Sequence, residues 1–337
     1  MSTLKEVGRA AGVSVATAGR ILRGDLLLVV RPATRERVLA VAERLDYRPN
    51  RIASGLRTRR TGTIALFLPD PQNFMWSEMV IGVERATARD GYLVVLADAH
   101  GPTLDPDHFG RLVLERRVDG LLVAFAHIDD RLVSQLGTHG LPLLPINSRS
   151  HAIDASVTMD DASGSALAVR HLHGLGHRRI GYVAGRPDTD VGRRREQGYR
   201  EEMDRLGLVV EPAWVASGEF TEVGGQVAAR RILDVESGDR PTALYVANFF
   251  STLGVIGVVR HLGLQVPTDI SIVTMDDHLV AEHLAPPLTT IRMPMRSMGE
   301  AGGEMLLRAI DGRPLSHLIV ETPPVLVVRQ SSAPPPS

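Results

Sequence analysis

The feature that most constrains the fold of this chain is an alternation, from residue 63 onward, of short apolar segments with longer segments of helical periodicity. The apolar segments are almost continuously apolar, as expected for strands covered on both faces. They read TIALFLP, YLVVLADA, VDGLLVAFA, LPLLPIN, RRIGYVAG, TALYVAN and ISIVTMDD. Helical patterns lie between them, for example at 74–90, 164–175, 193–206 and 252–262. This alternation predicts an α/β body with doubly wound parallel sheets.

The strands are too many for one small sheet, and they predict two lobes with a break near residue 161. Late strands at 288–292 (LTTIR) and 324–329 (PVLVVR) indicate that the chain crosses between the lobes more than once. We therefore expect a body over residues 63–330, followed by a disordered Ser- and Pro-rich tail at 331–337. The expected N-terminal lobe comprises about 63–161 and 291–322, and the C-terminal lobe about 162–290 and 323–330.

Charge is unevenly distributed along the 337 residues. The whole chain has 38 Lys and Arg against 39 Asp and Glu, but residues 1–60 have 13 basic residues against 5 acidic ones. A basic head on an acidic body is typical of a polyanion-binding module attached to another domain. The chain contains no cysteine, no apolar signal core and no long apolar run, so we expect a cytoplasmic protein without membrane contact.

The head, residues 1–48, begins with TLKEVGRAAGVSVATAGRIL, which reads as two short helices joined by a tight turn. Gly12 permits the positive φ that ends a helix, and Ser14 is placed to cap the next one. A third helical pattern, PATRERVLAVAERLDY, closes a small core. The second helix is predicted to turn small side chains and arginines outward, which suits the DNA major groove. These outward residues are Val15, Ala16, Thr17, Gly19, Arg20 and Arg23.

The linker at 49–62 is predicted to order only on a surface, because its apolar positions, including Ala53 and Leu56, span a short, polar segment. The functional interpretation is a hinge that folds on DNA, with Leu56 as a minor-groove wedge and arginines on phosphates. A plain flexible linker is the alternative. The apolar stretch Gly24–Val30 packs either under the third helix or against a second subunit, and the sequence does not choose.

These segments, together with HLHGLGHRRIGYVAG, RRREQGY, PTALYVAN, DISIVTMDDH and PPLTTIR, resemble the lactose/galactose-repressor family of bacterial transcription regulators. The resemblance covers nearly the whole chain. It implies a helix-turn-helix head, a hinge helix and a two-lobed body like a periplasmic sugar-binding protein. It also implies a homodimeric repressor that binds double-stranded, palindromic operator DNA and responds to a small, sugar-like effector, without a cofactor or metal.

The resemblance assigns roles to individual residues. Its DNA-binding positions here are Thr3, Ser14, Val15, Ala16, Thr17, Gly19, Arg20, Asn50, Arg51, Ala53 and Leu56. Its effector-binding positions, with the aromatic residues expected near the cleft, are Phe74, Trp76, Asp161, Arg195, Phe220, Asn248, Phe249 and Asp276. Carboxylates, an amide and a guanidinium can satisfy sugar hydroxyls, and rings can stack on a sugar. Structural roles are the alternatives: Asp161 as a helix cap, Arg195 as an exposed arginine, and the aromatic residues as core.

Three features depart from the family pattern. Many members have Asn-Asp where this chain has Asn248-Phe249, which counts against a simple pentose or hexose and admits a more apolar effector. Gly19 replaces a common serine. The leucine-heptad tail that forms tetramers is missing after Arg329, so we expect a dimer.

Two other functions fit the sequence less well. An enzyme is disfavoured, because no GxSxG elbow, P-loop or HExxH motif is present. The spacing of His173 and His177 could bind a metal, but Gly174 and Gly176 make that stretch a helix end. A free solute-binding protein would fit the body alone, yet the basic head and the missing export signal argue against it.

Overall fold

The computed structural model describes residues 2–22, 28–47, 60–70, 73–98, 115, 117–124, 140–236 and 238–336. The chain divides into two compact units, Met1–Gly62 and Thr63–Ser337. The predicted start of the body, residue 63, lies at this division. Within the described residues, no helix combines the length and the apolar character needed to cross a membrane.

The head unit contains helices α1 (Leu4–Ala11), α2 (Val15–Leu22) and α3 (Pro32–Arg44). Thr3 and Glu6 form a capping box that starts α1, and Gly12, with φ of 65°, ends it. The Ser14 hydroxyl accepts a hydrogen bond from the Thr17 amide at 3.0 Å and so caps α2, as predicted. The head core consists of Val7, Ala11, Ala18, Ile21, Val38, Val41 and Ala42.

The loop before α3 divides its apolar side chains between core and surface. Leu28 and Val30 are partly buried against the head core. Val29 between them is 96% exposed. The described end of the loop therefore packs on the head core, as the first alternative expected, while Val29 turns outward. Residues 23–27 lie outside the described part.

The first lobe of the body is built on a four-stranded parallel sheet in the order β2-β1-β3-β4. Its strands are β1 (Thr63–Leu68), β2 (Leu93–Asp98), β3 (Gly120–Val123) and β4 (Leu143–Pro145). A short parallel pair, β5 (Ser156–Thr158) and β11 (His317–Ile319), adjoins β4 through a bridge between Ile146 and Val157. A 3-10 turn at Phe74–Trp76 leads into helix α4 (Ser77–Ala88).

Helix α4 packs closely on helix α9 (Met295–Ile310). Glycine is required at this crossing, because a Cβ at Gly82 would lie 2.2 Å from the Arg296 carbonyl oxygen. A Cβ at Gly299 would lie equally close, 2.2 Å, to the Met79 carbonyl oxygen. The backbones of α4 and α9 are therefore in direct contact at Gly82 and Gly299, and a larger residue at either position would separate the helices.

The second lobe has a six-stranded sheet in the order β12-β10-β9-β8-β6-β7. The pairs are parallel except β10 with β12, which is antiparallel. The strands are β6 (Ile180–Ala184), β7 (Val215–Ser217), β8 (Ala243–Val246), β9 (Ser271–Met275), β10 (Thr289–Arg292) and β12 (Val325–Val327). The helices are α5 (Asp161–Gly174), α6 (Asp190–Arg205), α7 (Glu222–Leu233) and α8 (Phe249–His261).

In the described part of the body, the chain passes between the lobes after β5, after β10 and after β11. The fold is thus the doubly wound, two-lobed α/β architecture that the strand–helix alternation predicted. A continuous core joins residues of both sheets, from Ile64 and Leu122 to Tyr182 and Tyr245.

The predicted disorder of residues 331–337 is wrong for the part that the structure describes. Ser331 is fully buried. Its hydroxyl donates to the Ile272 carbonyl at 2.6 Å and accepts from the Thr289 amide at 2.8 Å. The Ala333 carbonyl accepts from Ser271 at 3.0 Å and contacts His177 Nε2 at 2.9 Å. Small Ser and Ala residues fit against the sheet and complete these bonds, which a composition-based argument overlooks.

Candidate functional site

Helix α2 of the head presents a small mixed surface. Val15 is 44% exposed, Ala16 and Arg20 are also exposed, and Thr17 is half-buried. Gly19 is buried, so the prediction that it faces outward is wrong. With no side chain, its surface is backbone alone, which the surrounding residues cover. The predicted hinge contacts Asn50, Arg51, Ala53 and Leu56 lie outside the described residues, as does Arg23.

A cavity of about 420 Å³ lies in the body, between residues of its two lobes. Five of the eight predicted effector residues line it: Trp76, Arg195, Phe220, Asn248 and Asp276. Phe74, Asp161 and Phe249 do not line it. The rest of its wall is formed by Pro69, Asp70, Asn73, Met75, Ala124, Asn147, Ser148, Arg186, Thr189, Val191, Glu219, Thr221, Glu222, Phe250 and Met295.

Arg195 is a buried cation held between two carboxylates. Its Nε donates to Asp161 Oδ1 at 2.8 Å, and its Nη2 donates to Asp276 Oδ1 at 3.3 Å. Its Nη1 also donates to the Ala247 carbonyl. Burial alone would lower the pKa of Arg195, but Asp276 and Asp161 raise that pKa well above its usual value. The guanidinium therefore stays charged, and its donors are engaged by the protein.

Asp161 is not the cap of α5; its structural role is to pair with two arginines. The cap of α5 is Asp160, whose carboxylate accepts from the Ser163 amide at 3.0 Å. Asp161 is fully buried and accepts from Arg195 and from Arg194 Nη2, the latter at 2.7 Å. It supports the cavity from behind through Arg195 and does not reach the cavity itself.

Phe220 is held in the cavity wall by a strained loop. Glu219 and Phe220 have φ of 54° and 60°, two consecutive non-glycine residues in the left-handed region. Such residues cost about 1–3 kcal/mol each and persist only where the surroundings hold them. The Phe220 ring occupies the space beside Gly185, where a Cβ would lie 2.1 Å from Cζ. Asn248 Nδ2 donates to the Phe220 carbonyl at 2.9 Å and fixes the backbone.

Phe249 points away from the cavity and is fully buried. It belongs to an apolar cluster with Phe74 and Phe250, and the Phe74 ring lies 5.9 Å from the Phe249 ring and 5.2 Å from the Phe250 ring. Phe250, which the sequence analysis missed, lines the cavity instead. The sequence feature that could have identified Phe250 is the helix cap. Asn248 caps α8, so the side chains of Phe249 and Phe250 point about 100° apart around the helix axis.

Three residues of the cavity wall each have one buried polar atom that finds no hydrogen-bond partner within the described part of the chain. These atoms are Trp76 Nε1, Asn147 Oδ1 and Ser148 Oγ. Asn147 also has φ of 69°. Asn147 and Ser148 were missed, although they follow β4 at its carboxyl end, where ligands of parallel sheets bind.

His177, one of the two histidines considered as metal ligands, and the neighbouring His171 contact hydroxyl groups. His177 Nδ1 contacts Thr242 Oγ1 at 2.8 Å, and its Nε2 contacts Ser271 Oγ at 3.1 Å. His171 Nε2 contacts Ser332 Oγ at 2.9 Å. Searching the described residues for metal-binding groups of three or more His, Cys, Asp or Glu gives none.

Comparison with known proteins places this site in a family. Residues 3–50 match the bacterial regulatory proteins of the lacI family, and residues 169–332 match the periplasmic binding protein-like domain. The HTH-type transcriptional repressor PurR of Aliivibrio salmonicida (strain LFI1238) is 31% identical over 333 residues, covering 98% of this chain and 99% of that protein. The chain belongs to the LacI family.

Two solved structures of LacI-family type match nearly the whole chain. The transcriptional regulator CelR–cellobiose complex is 32% identical with a TM-score of 0.74, covering 98% of this chain and 100% of that one. The lac repressor dimer bound to operator and the anti-inducer ONPF is 28% identical with a TM-score of 0.77, covering 98% and 99%. This LacI-family chain is a transcriptional repressor with a DNA-binding helix-turn-helix domain and a ligand-binding domain, and it is not an enzyme.

Proposed function

We propose that this repressor binds a palindromic operator as a homodimer and that a small polar effector, of sugar-like chemistry, controls the binding from the cavity of the body. The observation that carries the proposal is the cavity itself. It combines polar lining residues, among them Asn147, Ser148, Asn248 and Asp276, with aromatic ones, and it belongs to a chain whose other unit is a basic helix-turn-helix head.

In the head, Arg20 donates to a guanine in the major groove, and Val15 and Ala16 contact thymine methyl groups. Their exposure on α2 supports these roles. Thr17 and Thr3 approach phosphates, and Ser14 holds the start of α2. In the proposed hinge, Asn50, Arg51 and Ala53 contact the DNA backbone and groove, and Leu56 wedges between base pairs. Gly19, being buried, is left out of the contact set.

In the body, the effector lies between the rings of Trp76, Phe220 and Phe250, which offer apolar faces to a sugar ring. Its hydroxyls bond to the polar residues Asn147 and Ser148 of the first lobe. Asn248 and Asp276 complete the polar contacts, and Arg195 orients Asp276 from behind. The cellobiose in the CelR complex, a relative of nearly equal length, supports this ligand class.

The homodimer is proposed to form partly through β2. This strand lies at the edge of the first sheet, and its Leu93 is 65% exposed, with Val95 and Leu96 also exposed. Large apolar side chains on an edge strand usually mark an interface, because a monomer normally shields them. A second copy of this chain is the proposed partner, and the similar lac repressor, which is a dimer when bound to its operator, supports this choice.

The proposed control is a coupling between sites. The effector favours one arrangement of the two lobes over another, and this shifts the population of dimers whose hinge segments order on DNA. Release of the operator by the effector is the proposed direction.

The test begins with selection of an operator from random duplexes by the full chain, followed by fluorescence anisotropy. Arg20→Ala should relax the preference at one base pair per half-site, costing about 1–3 kcal/mol there. Arg44→Ala, an equal charge loss on α3, is the control and should leave the selected sequence unchanged. An asymmetric selected site, or an identical site with Arg20→Ala, would contradict the proposal. So would a ligand that binds the body without changing operator affinity.

A further inference from the structure

The charged groups around the cavity are predominantly acidic. Four carboxylates line it, from Asp70, Glu219, Glu222 and Asp276, against two guanidiniums, from Arg186 and Arg195. Both guanidiniums are already paired. Arg195 is held by Asp161 and Asp276, and Arg186 Nη2 donates to Asp188 Oδ2 at 2.7 Å with Glu219 Oε2 at 3.8 Å from its Nε. Among the described lining residues, no further cation is available to an anionic ligand.

Helix N-termini are the other common anion sites, and three of them contribute residues to this cavity, each with a side-chain cap from the protein. The first turns of α6, α7 and α8 contribute wall residues. Thr189 accepts from the Gly192 amide at 3.0 Å, Thr221 from the Gly224 amide at 3.0 Å, and Asn248 from the Ser251 amide at 3.1 Å. In each of the three helices the cap thus engages one of the first-turn amides that could otherwise bind a phosphate.

The carboxylate of Glu222 further disfavours an anionic ligand at the start of α7. It is the first residue of that helix, it lines the cavity, and its Oε1 accepts from Gln226 Nε2. A carboxylate at this position is stabilised by the positive end of the helix dipole and occupies the place where an anion would be attracted. It repels a second negative charge brought into the same enclosed space.

The hydrogen-bonding capacity of the lining carboxylates also disfavours an anionic ligand. The carboxylates of Glu222 and Asp276 line the cavity and only accept hydrogen bonds. A phosphate is mostly dianionic at neutral pH, since its second pKa is about 6, and it offers acceptors without donors. A hydroxyl or an N–H can donate to these carboxylates, whereas a dianionic phosphate cannot.

Resting on the proposed function, we propose that this cavity accepts only effectors without net negative charge and rejects their phosphorylated or carboxylated counterparts, with Glu222 as a specificity-determining residue. The chain would therefore respond to a metabolite before its phosphorylation or oxidation to an acid, and not after it.

The test uses the full chain and matched pairs of compounds in thermal-shift and calorimetric titrations. The pairs are glucose and glucose 6-phosphate, ribose and ribose 5-phosphate, cellobiose and cellobionate, and adenosine and adenosine 5′-monophosphate. In every pair that binds, the uncharged member should bind at least tenfold more tightly. Glu222→Gln should reduce that ratio severalfold, because the amide keeps a hydrogen-bonding shape without the charge. Glu211→Gln, at an exposed position outside the cavity wall, removes the same charge and should leave the ratio unchanged.

Equal binding within a pair, tighter binding of the anionic member, or a panel in which no uncharged compound binds overturns the inference. An unchanged ratio in a folded Glu222→Gln protein overturns the role of that residue. The proposed function fails separately: a bound compound that leaves operator affinity unchanged refutes the control of DNA binding, whatever its charge.

Discussion

The replacement Arg195→Met tests whether the buried ion pair under the cavity organises the body. The change preserves most of the side-chain length and removes the charge. Asp161 keeps Arg194 as a partner at 2.7 Å, but Asp276, which is 9% exposed, loses the guanidinium that it faces. Breaking a buried pair by removing one partner costs about 3–5 kcal/mol, because the remaining charge stays buried and uncompensated.

For a unit the size of the body, each kcal/mol lowers the melting temperature by about 2–4 °C, so Arg195→Met should lower it by about 6–20 °C. Differential scanning calorimetry of the full chain measures this. Arg200→Met on the same helix is the matched control: Arg200 is half exposed and bonds Glu196 one turn away. That exposed pair should contribute at most about 1 kcal/mol.

Two further measurements separate lost charge pairing from lost packing. The double variant Arg195→Met/Asp276→Asn should recover about 0.5–3 kcal/mol relative to the single variant, the range of coupling expected for contacting residues. Burial raises the pKa of Asp276, and Arg195 partly offsets this effect. Without Arg195 that pKa rises further, so the penalty should shrink as the pH falls and Asp276 becomes neutral. Equal losses in Arg195→Met and Arg200→Met, or no recovery in the double variant, would refute the reasoning.

Three other outcomes are expected. Gly185→Ala, whose added Cβ meets the Phe220 ring at 2.1 Å, should displace that ring and weaken effector binding at least tenfold in calorimetric titration, whereas Gly174→Ala, at an exposed position with open space around it, should not. Burial lowers the pKa of His177 below 6.5, so unfolded chains take up the proton first; stability in urea should therefore fall as the pH drops through about 6.5, and less steeply in His177→Gln. The logarithm of operator affinity should fall with the logarithm of salt concentration by about 0.9 per phosphate neutralised, and a flat profile would exclude phosphate contacts by the basic head.

The sequence predicted the two-lobed α/β fold because strand and helix periodicities are set locally, by which faces are buried. It placed helix starts about three residues late in each of three cases. The predicted starts 164, 193 and 252 compare with Asp161, Asp190 and Phe249. The reason is the same each time: a polar cap after a strand starts the helix, whereas apolar periodicity becomes visible only a turn later.

This offset explains how the site prediction went astray at Phe249. Read as the end of a strand, residue 249 should face the cleft together with Asn248. As the first residue of α8, it turns into the core, and Phe250 faces the cavity. Asn248 and Asp276 were predictable, since the carboxyl ends of parallel strands meet at one edge. Asn147 and Ser148 come from the other lobe, and their approach to the same space depends on how the lobes pack.

Two contacts between the lobes involve residues that also line the cavity. Phe74, in the first lobe, packs on Phe249 and Phe250 of the second, and Phe250 also lines the cavity. In a second contact, Arg194 Nη2 of the second lobe donates to the Asn147 carbonyl at 3.0 Å. Asn147 belongs to the first lobe and also lines the cavity. An effector that touches Phe250 and Asn147 therefore touches one residue of each of these two contacts between the lobes. Since a ligand shifts an equilibrium only by its differential affinity for the two states, contact with both lobes is what the proposed control over their arrangement requires.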